Sequence, residues 1–274
     1  MLGKLMKYEF KATSRFMLLM FGLLIALSSL MSVGIRLNLD DALHGIGDKF
    51  NFGALIFAVL VFIVIALFIV LNVVVLCGMF FFAVSRFKKN LLDNEGYLMH
   101  TLPVKTRDNI LSKTFVSVIW TILGVVAALI AYFILFIGIS NTNVSKELFE
   151  LILRTDVSFA NVRDILLISA EFALAGIVFL INCYFHIYAS MAVGYSFNTH
   201  RAAKSIGVFI LLSIASNILE VFAVGLLSMF GFSALEIESN VHAVLWLGIV
   251  TTSISSAICY IITNYFMSRR LNLQ

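Results

Sequence analysis

Proline is almost missing from this chain: Pro103 is the only one in 274 residues, so any proline-made break is confined to one place. Charge is scarce as well. Charged residues make up 12%, against about a quarter in an ordinary soluble domain. The three cysteines, Cys77, Cys183 and Cys259, are odd in number and lie inside apolar runs. A disulfide framework is thereby unsupported, and they read as small hydrophobic side chains. Catalytic signatures are lacking too. There is no Gly-x-x-x-x-Gly-Lys-Ser/Thr phosphate loop, so any ATP energy must come from another chain. There is no His-Glu-x-x-His, and Gly194-Tyr-Ser-Phe lacks the closing glycine of a serine elbow. No His or Cys residues cluster at metal-ligand spacing. The expectation is a chain that is not itself an enzyme and holds no metal or cofactor of its own.

What the sequence has in abundance is apolar surface: 61% hydrophobic residues and a mean hydropathy of +1.04. Such an excess calls for lipid. A bilayer core of roughly 30 Å takes about 20 apolar residues as helix, which hides the backbone polar groups where there is no water. Six runs qualify, at residues 16–35, 52–84, 115–139, 165–193, 206–232 and 244–267. The expected fold is all-α, a polytopic membrane protein with six transmembrane helices in a single transmembrane domain. The second run is on the order of 50 Å long as a straight helix, so it should tilt or project past the membrane. Gly225 and Gly231 weaken the outer end of the fifth and suit a re-entrant break there. The first run is too long for a signal-peptide core and reads as a retained span.

Orientation follows from the basic residues. The net charge of +4 is dispersed among loops, which points to topology and away from nucleic acid. With both ends inside, fourteen of the 19 Lys and Arg residues fall on the inner side, including Lys4, Lys7, Lys11, Arg86, Lys88, Lys89 and Lys204. Arg36, Lys49, Lys146, Arg154 and Arg163 remain outside. This bias predicts a cell-membrane protein with cytoplasmic N- and C-termini.

Two segments between or before the spans carry further information. Over residues 1–15, Lys4, Lys7 and Lys11 share one helical arc, while Leu2, Leu5, Met6 and Phe10 occupy the opposite one. This predicts an amphipathic interfacial helix with its lysines toward anionic headgroups; an ordinary cationic leader to the first span is the alternative. Glu9 interrupts the apolar arc. The inner loop at residues 85–113 contains Leu91, Leu92, Tyr97, Leu98, Met99 and Leu102, too many apolar side chains for a solvated linker. Asp93, Asn94 and Glu95 suit a short helix start, and Pro103 disfavours helix at Leu102. A short element with exposed leucine and tyrosine reads either as a docking site for a cytoplasmic partner or as a turn packed on the protein's own loops.

The run Asp93-Asn-Glu-Gly-Tyr-Leu-Met-His-Thr-Leu-Pro-Val, with Ser112-Lys113 after it, resembles the loop between spans two and three of bacterial ABC type-2 permeases. Asn94 stands where many of those proteins have a second acid. The layout is similar over the whole chain: an amphipathic N-terminal helix, six spans and no ATP-binding domain. The resemblance implies a cytoplasmic coupling helix built from Asp93, Asn94, Glu95, Gly96, Tyr97, Leu98, Met99, Thr101, Leu102 and Pro103. A smaller coupling contact would include His200 and Arg201; a basic loop at the headgroups explains those two equally well. The implied partners are two copies of a cytoplasmic ABC ATPase carrying ATP and Mg, a second permease copy or paralogue, and membrane lipid. The implied function is export of an amphipathic peptide or hydrophobic drug through a dimeric path lined largely by spans two and five.

Polar residues inside the runs are the remaining candidates. A charged side chain at mid-bilayer costs about 2.5–3.5 kcal/mol on insertion scales, so Glu171 and Glu220 need a partner, water or a proton. Asn217 is one helical step from Glu220, and Asn72 lies well inside the second run. One reading puts Asn72, Asn217 and Glu220 on a translocation path, with Glu171 pairing or tuning an outer gate. The other makes all four interhelical hydrogen-bond partners or snorkelling groups. His186, with Asn182 one turn away, reads as structural polarity. Two other functions fit the same spans: an ion-coupled secondary transporter using Glu171 and Glu220 as protonation sites, or a non-transporting scaffold or sensor subunit. The two halves of the chain show no repeat that would favour the former.

Overall fold

In the computed structural model, residues 2–46, 52–93, 96, 104–139, 159–197, 199–229 and 241–269 are described. Six helices account for nearly all of them: α1 (Leu2–Ile46), α2 (Phe52–Leu91), α3 (Thr106–Ile139), α4 (Phe159–Gly194), α5 (Arg201–Met229) and α6 (Val241–Arg269). No strand occurs among the described residues. Each of the six is long and apolar enough to cross a membrane. Their outward faces carry Phe62, Leu67, Phe81, Phe133, Phe172 and Val221, all more than half exposed, a surface that fits lipid and not water.

The helices run further than the apolar pattern alone predicts. The expected interfacial helix and first span form one continuous helix, with no break between residues 15 and 16. The intervening stretch contains no proline or glycine, and its two helix-weakening hydroxyls bond back into their own turn. Thr13 Oγ1 donates to the Phe10 carbonyl at 3.2 Å, and Ser14 Oγ donates to that of Lys11 at 2.9 Å. Helix α2 continues through Arg86-Phe-Lys-Lys-Asn to Leu91, with Lys88 and Lys89 in a last turn where cations oppose the helix dipole. There the Lys88 carbonyl accepts from the backbone N–H groups of Leu92 and Asp93. At the start of α3 the Lys105 carbonyl accepts from Asp108, whose carboxylate sits in the first turn. Helix α5 passes Gly225 unbroken to Met229; Gly231 lies outside the described residues.

The chain divides into two compact units. The first comprises Met1–Glu9, Phe82–Val118 and Ser158–Gln274; it contains α4, α5 and α6 together with one end each of α1, α2 and α3. Within it, α4 packs against both α5 and α6. Gly194 closes α4 directly against α5, since a Cβ there would lie 2.7 Å from the Ser205 backbone nitrogen. The turn that follows ends at His200, which among the described residues is the non-glycine residue with positive φ (53°) and whose carbonyl accepts from Lys204 N–H to start α5.

The second unit comprises Phe10–Phe81 and Ile119–Val157. Its packing centres on Trp120 of α3, stacked on Phe10 at 4.3 Å and donating its indole N–H to Thr13 Oγ1 at 2.8 Å. Further along, Phe68, Ala131 and Leu135 form a small buried cluster joined by Met31.

Candidate functional site

The richest cluster of charge and aromatic groups lies in the first unit, where the ends of α1, α2 and α3 meet α4. Glu9 is its centre. One carboxylate oxygen accepts from Lys113 Nζ at 2.5 Å and the other from Arg86 Nε at 3.0 Å. Lys113 is buried in α3, only 5% exposed, and this carboxylate is an acid paired with its ammonium. The acid that spoils the apolar arc of the N-terminal segment is thus the counter-ion of two basic residues far away in the chain.

Beside this cluster, Phe87 of α2 stacks face to face on Tyr188 of α4, with centroids 3.6 Å apart and planes 6° from parallel. Both rings are fully buried, and Tyr184 leans on Tyr188 from 6.0 Å. Tyr195, just past the end of α4, has the Lys88 ammonium 5.9 Å and the Arg201 guanidinium 5.8 Å from its ring centre. Lys204 lies 4.3 Å over the Phe197 ring. A cation so placed is attracted by the negative face of the ring. The root of the loop after α2 and the loop before α5 therefore converge on one tyrosine, a convergence that sequence spacing does not reveal.

Of the expected coupling residues, Asp93 is exposed and Gly96 is buried, and the Gly96 N–H bonds to the Asp93 carbonyl at 2.7 Å. Asn94, Glu95, Tyr97, Leu98, Met99, Thr101, Leu102 and Pro103 lie outside the described residues. His200 is exposed, and Arg201 Nε donates to the Phe197 carbonyl at 3.2 Å.

The intramembrane candidates part company. Glu171 is paired across helices: His242 Nδ1 lies 2.7 Å from one of its oxygens, and Trp246 Nε1 donates to the other at 3.0 Å, tying α4 to α6. Asn217 and Glu220 share an exposed face of α5 and make no hydrogen bond or ion pair among the described residues. Asn72 belongs to the other unit. It is buried, with its amide donating to the Phe68 carbonyl at 2.9 Å and its Oδ1 without a partner among the described residues.

His186 sits at a third polar node. Its Nδ1 lies 3.3 Å from Asn182 Oδ1 and 3.5 Å from Cys259 Sγ, and its Nε2 lies 3.1 Å from Ser216 Oγ, which contacts Ser255 at 3.0 Å. The node thus touches α4, α5 and α6. It borders a cavity of about 70 Å³ whose polar lining is Ser216, Ser255 and Cys259. Asn182 was legible as its partner from helical spacing; Ser216, Ser255 and Cys259 were not. All three cysteines are free, Cys77 exposed on the apolar surface and Cys259 buried. Among the described residues no three His, Cys, Asp or Glu side chains gather as metal ligands.

Glu171→Ala is expected to cost about 1–2 kcal/mol, the range of an interhelical polar contact in a membrane. Glu171→Gln, which keeps an acceptor for Trp246, should cost less. Thermal melting in detergent checks the order; equal stability of wild type and Glu171→Ala would reduce the contact to decoration.

Comparison with known proteins gave no matching family model, no similar curated sequence and no similar solved structure.

Proposed function

We propose that this chain is the membrane-spanning permease subunit of an ABC exporter, inserted in the bacterial cell membrane with both termini in the cytoplasm. The observation that carries the reading is the Asp93–Val104 sequence, which lies between the second and third of six membrane-length helices. Its flanking helix ends are not loose. Arg86 and Lys113 meet on Glu9, so the loop springs from a fixed base, as a lever receiving force from an ATPase requires. The convergence of Lys88 and Arg201 on Tyr195 adds support, since the larger and smaller coupling contacts would then move together.

In this account the 93–103 segment docks on a cytoplasmic ATPase subunit that binds ATP and Mg. Two permeases and two ATPases make up the exporter. The exposed Asn217 and Glu220 face of α5 contributes to the path between permeases, for an amphipathic peptide or hydrophobic drug. Asn72, buried within its own unit, suits helix packing better than the path. A second reading, an ion-coupled transporter, draws on the 2.7 Å contact between Glu171 and His242, two groups able to exchange protons.

The test is co-purification. Tagged protein in mild detergent, co-expressed with its neighbouring gene products, should bring down an ATPase. The combined variant Glu95→Ala, Tyr97→Ala, Leu98→Ala should lose it by tenfold or more, about 1.4 kcal/mol of docking free energy. Absence of any ATPase from the wild-type eluate would remove the exporter reading and leave ion-coupled transport or scaffolding.

A further inference from the structure

Arg86 and Lys113 are both basic, so their own charges repel. Arg86 lies near the end of α2 and Lys113 in the second turn of α3, on either side of the segment proposed to couple to an ATPase. Their shared counter-ion comes from a third helix, through a carboxylate only 12% exposed. Two cations held by one acid form an arrangement that fails in a particular way. Remove the acid and the contact between the two basic side chains changes from attractive to repulsive. A salt bridge between two surface partners would lose little on truncation; this one loses the charge that bridges two basic side chains on different helices.

We infer that Glu9 is a positioning residue: the N-terminal turns of α1 act as a latch that sets the spacing of the α2 and α3 ends, and through them the base of the 92–105 loop. The mechanical role rests on the permease reading, whereas the latch itself rests only on the ion cluster. The lysines of the same segment face elsewhere: Lys4, Lys7 and Lys11 are exposed. One short helix segment therefore presents cations outward and a single part-buried acid inward. That division accounts for Glu9 standing among Leu5, Met6 and Phe10.

Two readouts separate the latch from the permease reading. For the first, Cys77, Cys183 and Cys259 are replaced by alanine, and spin labels are placed through Ser85→Cys and Arg107→Cys, both at exposed positions flanking the cluster. The purified chain alone should give one narrow distance, and Glu9→Gln should broaden and lengthen it. The conservative variant Glu9→Asp keeps a carboxylate between the two bases and should hold the distance nearer to that of the wild type. An unchanged distance in Glu9→Gln overturns the latch. If Glu9→Gln fails to fold, the double variant Glu9→Gln with Lys113→Met, which removes the buried ammonium together with its acid, decides: a broadened distance supports the latch, and an unchanged narrow one overturns it. For the second, the co-purified ATPase is assayed. Glu9→Gln should retain binding through the 93–103 segment but lose about tenfold of any permease-dependent stimulation, an ordinary coupling between sites. Loss of neither binding nor stimulation, despite a changed distance, would confine the latch to structure and overturn its mechanical role. Absence of an ATPase from the wild type would fail the permease reading and leave the distance measurement to judge the latch.

Discussion

Gly194→Ala is expected to lower the melting temperature of the protein in detergent by several degrees or to stop it accumulating, while Gly207→Ala leaves stability unchanged or raises it. The two glycines lie close together in sequence, but the space around them differs. At Gly207 a Cβ meets nothing within 4 Å, so alanine adds only helix propensity, about 0.5–1 kcal/mol. At Gly194 the added carbon would sit 2.7 Å from the Ser205 backbone nitrogen and 2.8 Å from its Cα. Backbone atoms cannot rotate away as the end of a side chain can. Ser205 is further fixed by its hydroxyl, which donates to the Arg201 carbonyl at 2.9 Å within the first turn of α5. The start of α5 must therefore move off α4, and overpacking of this kind costs about 1–3 kcal/mol or more. That motion would also pull Arg201 from the Tyr195 ring. Melting curves of the two variants, measured side by side, give the answer. Equal stability would mean that α4 and α5 approach less closely here than the structure has them.

Six membrane-length helices were legible because each contains a long apolar stretch, and no other signal in the chain competes with it. Their ends were not. The stretch Arg86-Phe-Lys-Lys-Asn looks like the beginning of a polar loop, and taken alone it would be one. It stays helical because Arg86 has Glu9, Phe87 has Tyr188, and Lys88 has Tyr195, contacts with residues 77 or more positions distant. A run of charge marks the end of a helix only when water is the best partner those charges can find. The same holds at the start of α1, where periodicity correctly separates lysines from apolar residues but has no means of explaining Glu9. Its partner Lys113 is 104 positions away.

The polar residues inside the spans show a different limit. Sequence identified Glu171 and Glu220 as costly in lipid and Asn217 and Asn72 as polar residues within the runs, and it reads the same whether a residue is paired, outward-facing or buried. Only packing separates them. Glu171 has His242 and Trp246, and its cost is met within the bundle. Glu220 and Asn217 are exposed and make no hydrogen bond or ion pair among the described residues. Of the four, Glu220 and Asn217 are therefore the ones whose role should be sought in an encounter with another molecule, whereas Glu171 can be tested by stability alone.

Tyr188→Ala is expected to be among the most damaging single substitutions in the first unit, and Tyr188→Phe among the most benign. The Tyr188 ring is wholly buried, lies 3.6 Å from the wholly buried Phe87 ring, and has Tyr184 against its edge. Between membrane helices there is no hydrophobic drive to hold such rings together, because lipid is as apolar as they are. What holds them is dispersion, and that depends on contact. Truncation to alanine removes the stack and leaves a cavity next to the Glu9 cluster, a loss of about 3–5 kcal/mol by analogy with other large-to-small core changes. The hydroxyl contributes little to offset this. It is buried with no hydrogen-bond partner among the described residues. An orphaned buried hydroxyl costs about 1–3 kcal/mol, so phenylalanine at this position should be neutral or stabilising. Thermal unfolding of the two variants, followed by size-exclusion profile, measures both effects. A Tyr188→Phe protein as unstable as Tyr188→Ala would show that the hydroxyl, through a bound water or another group, contributes what is here assigned to the ring.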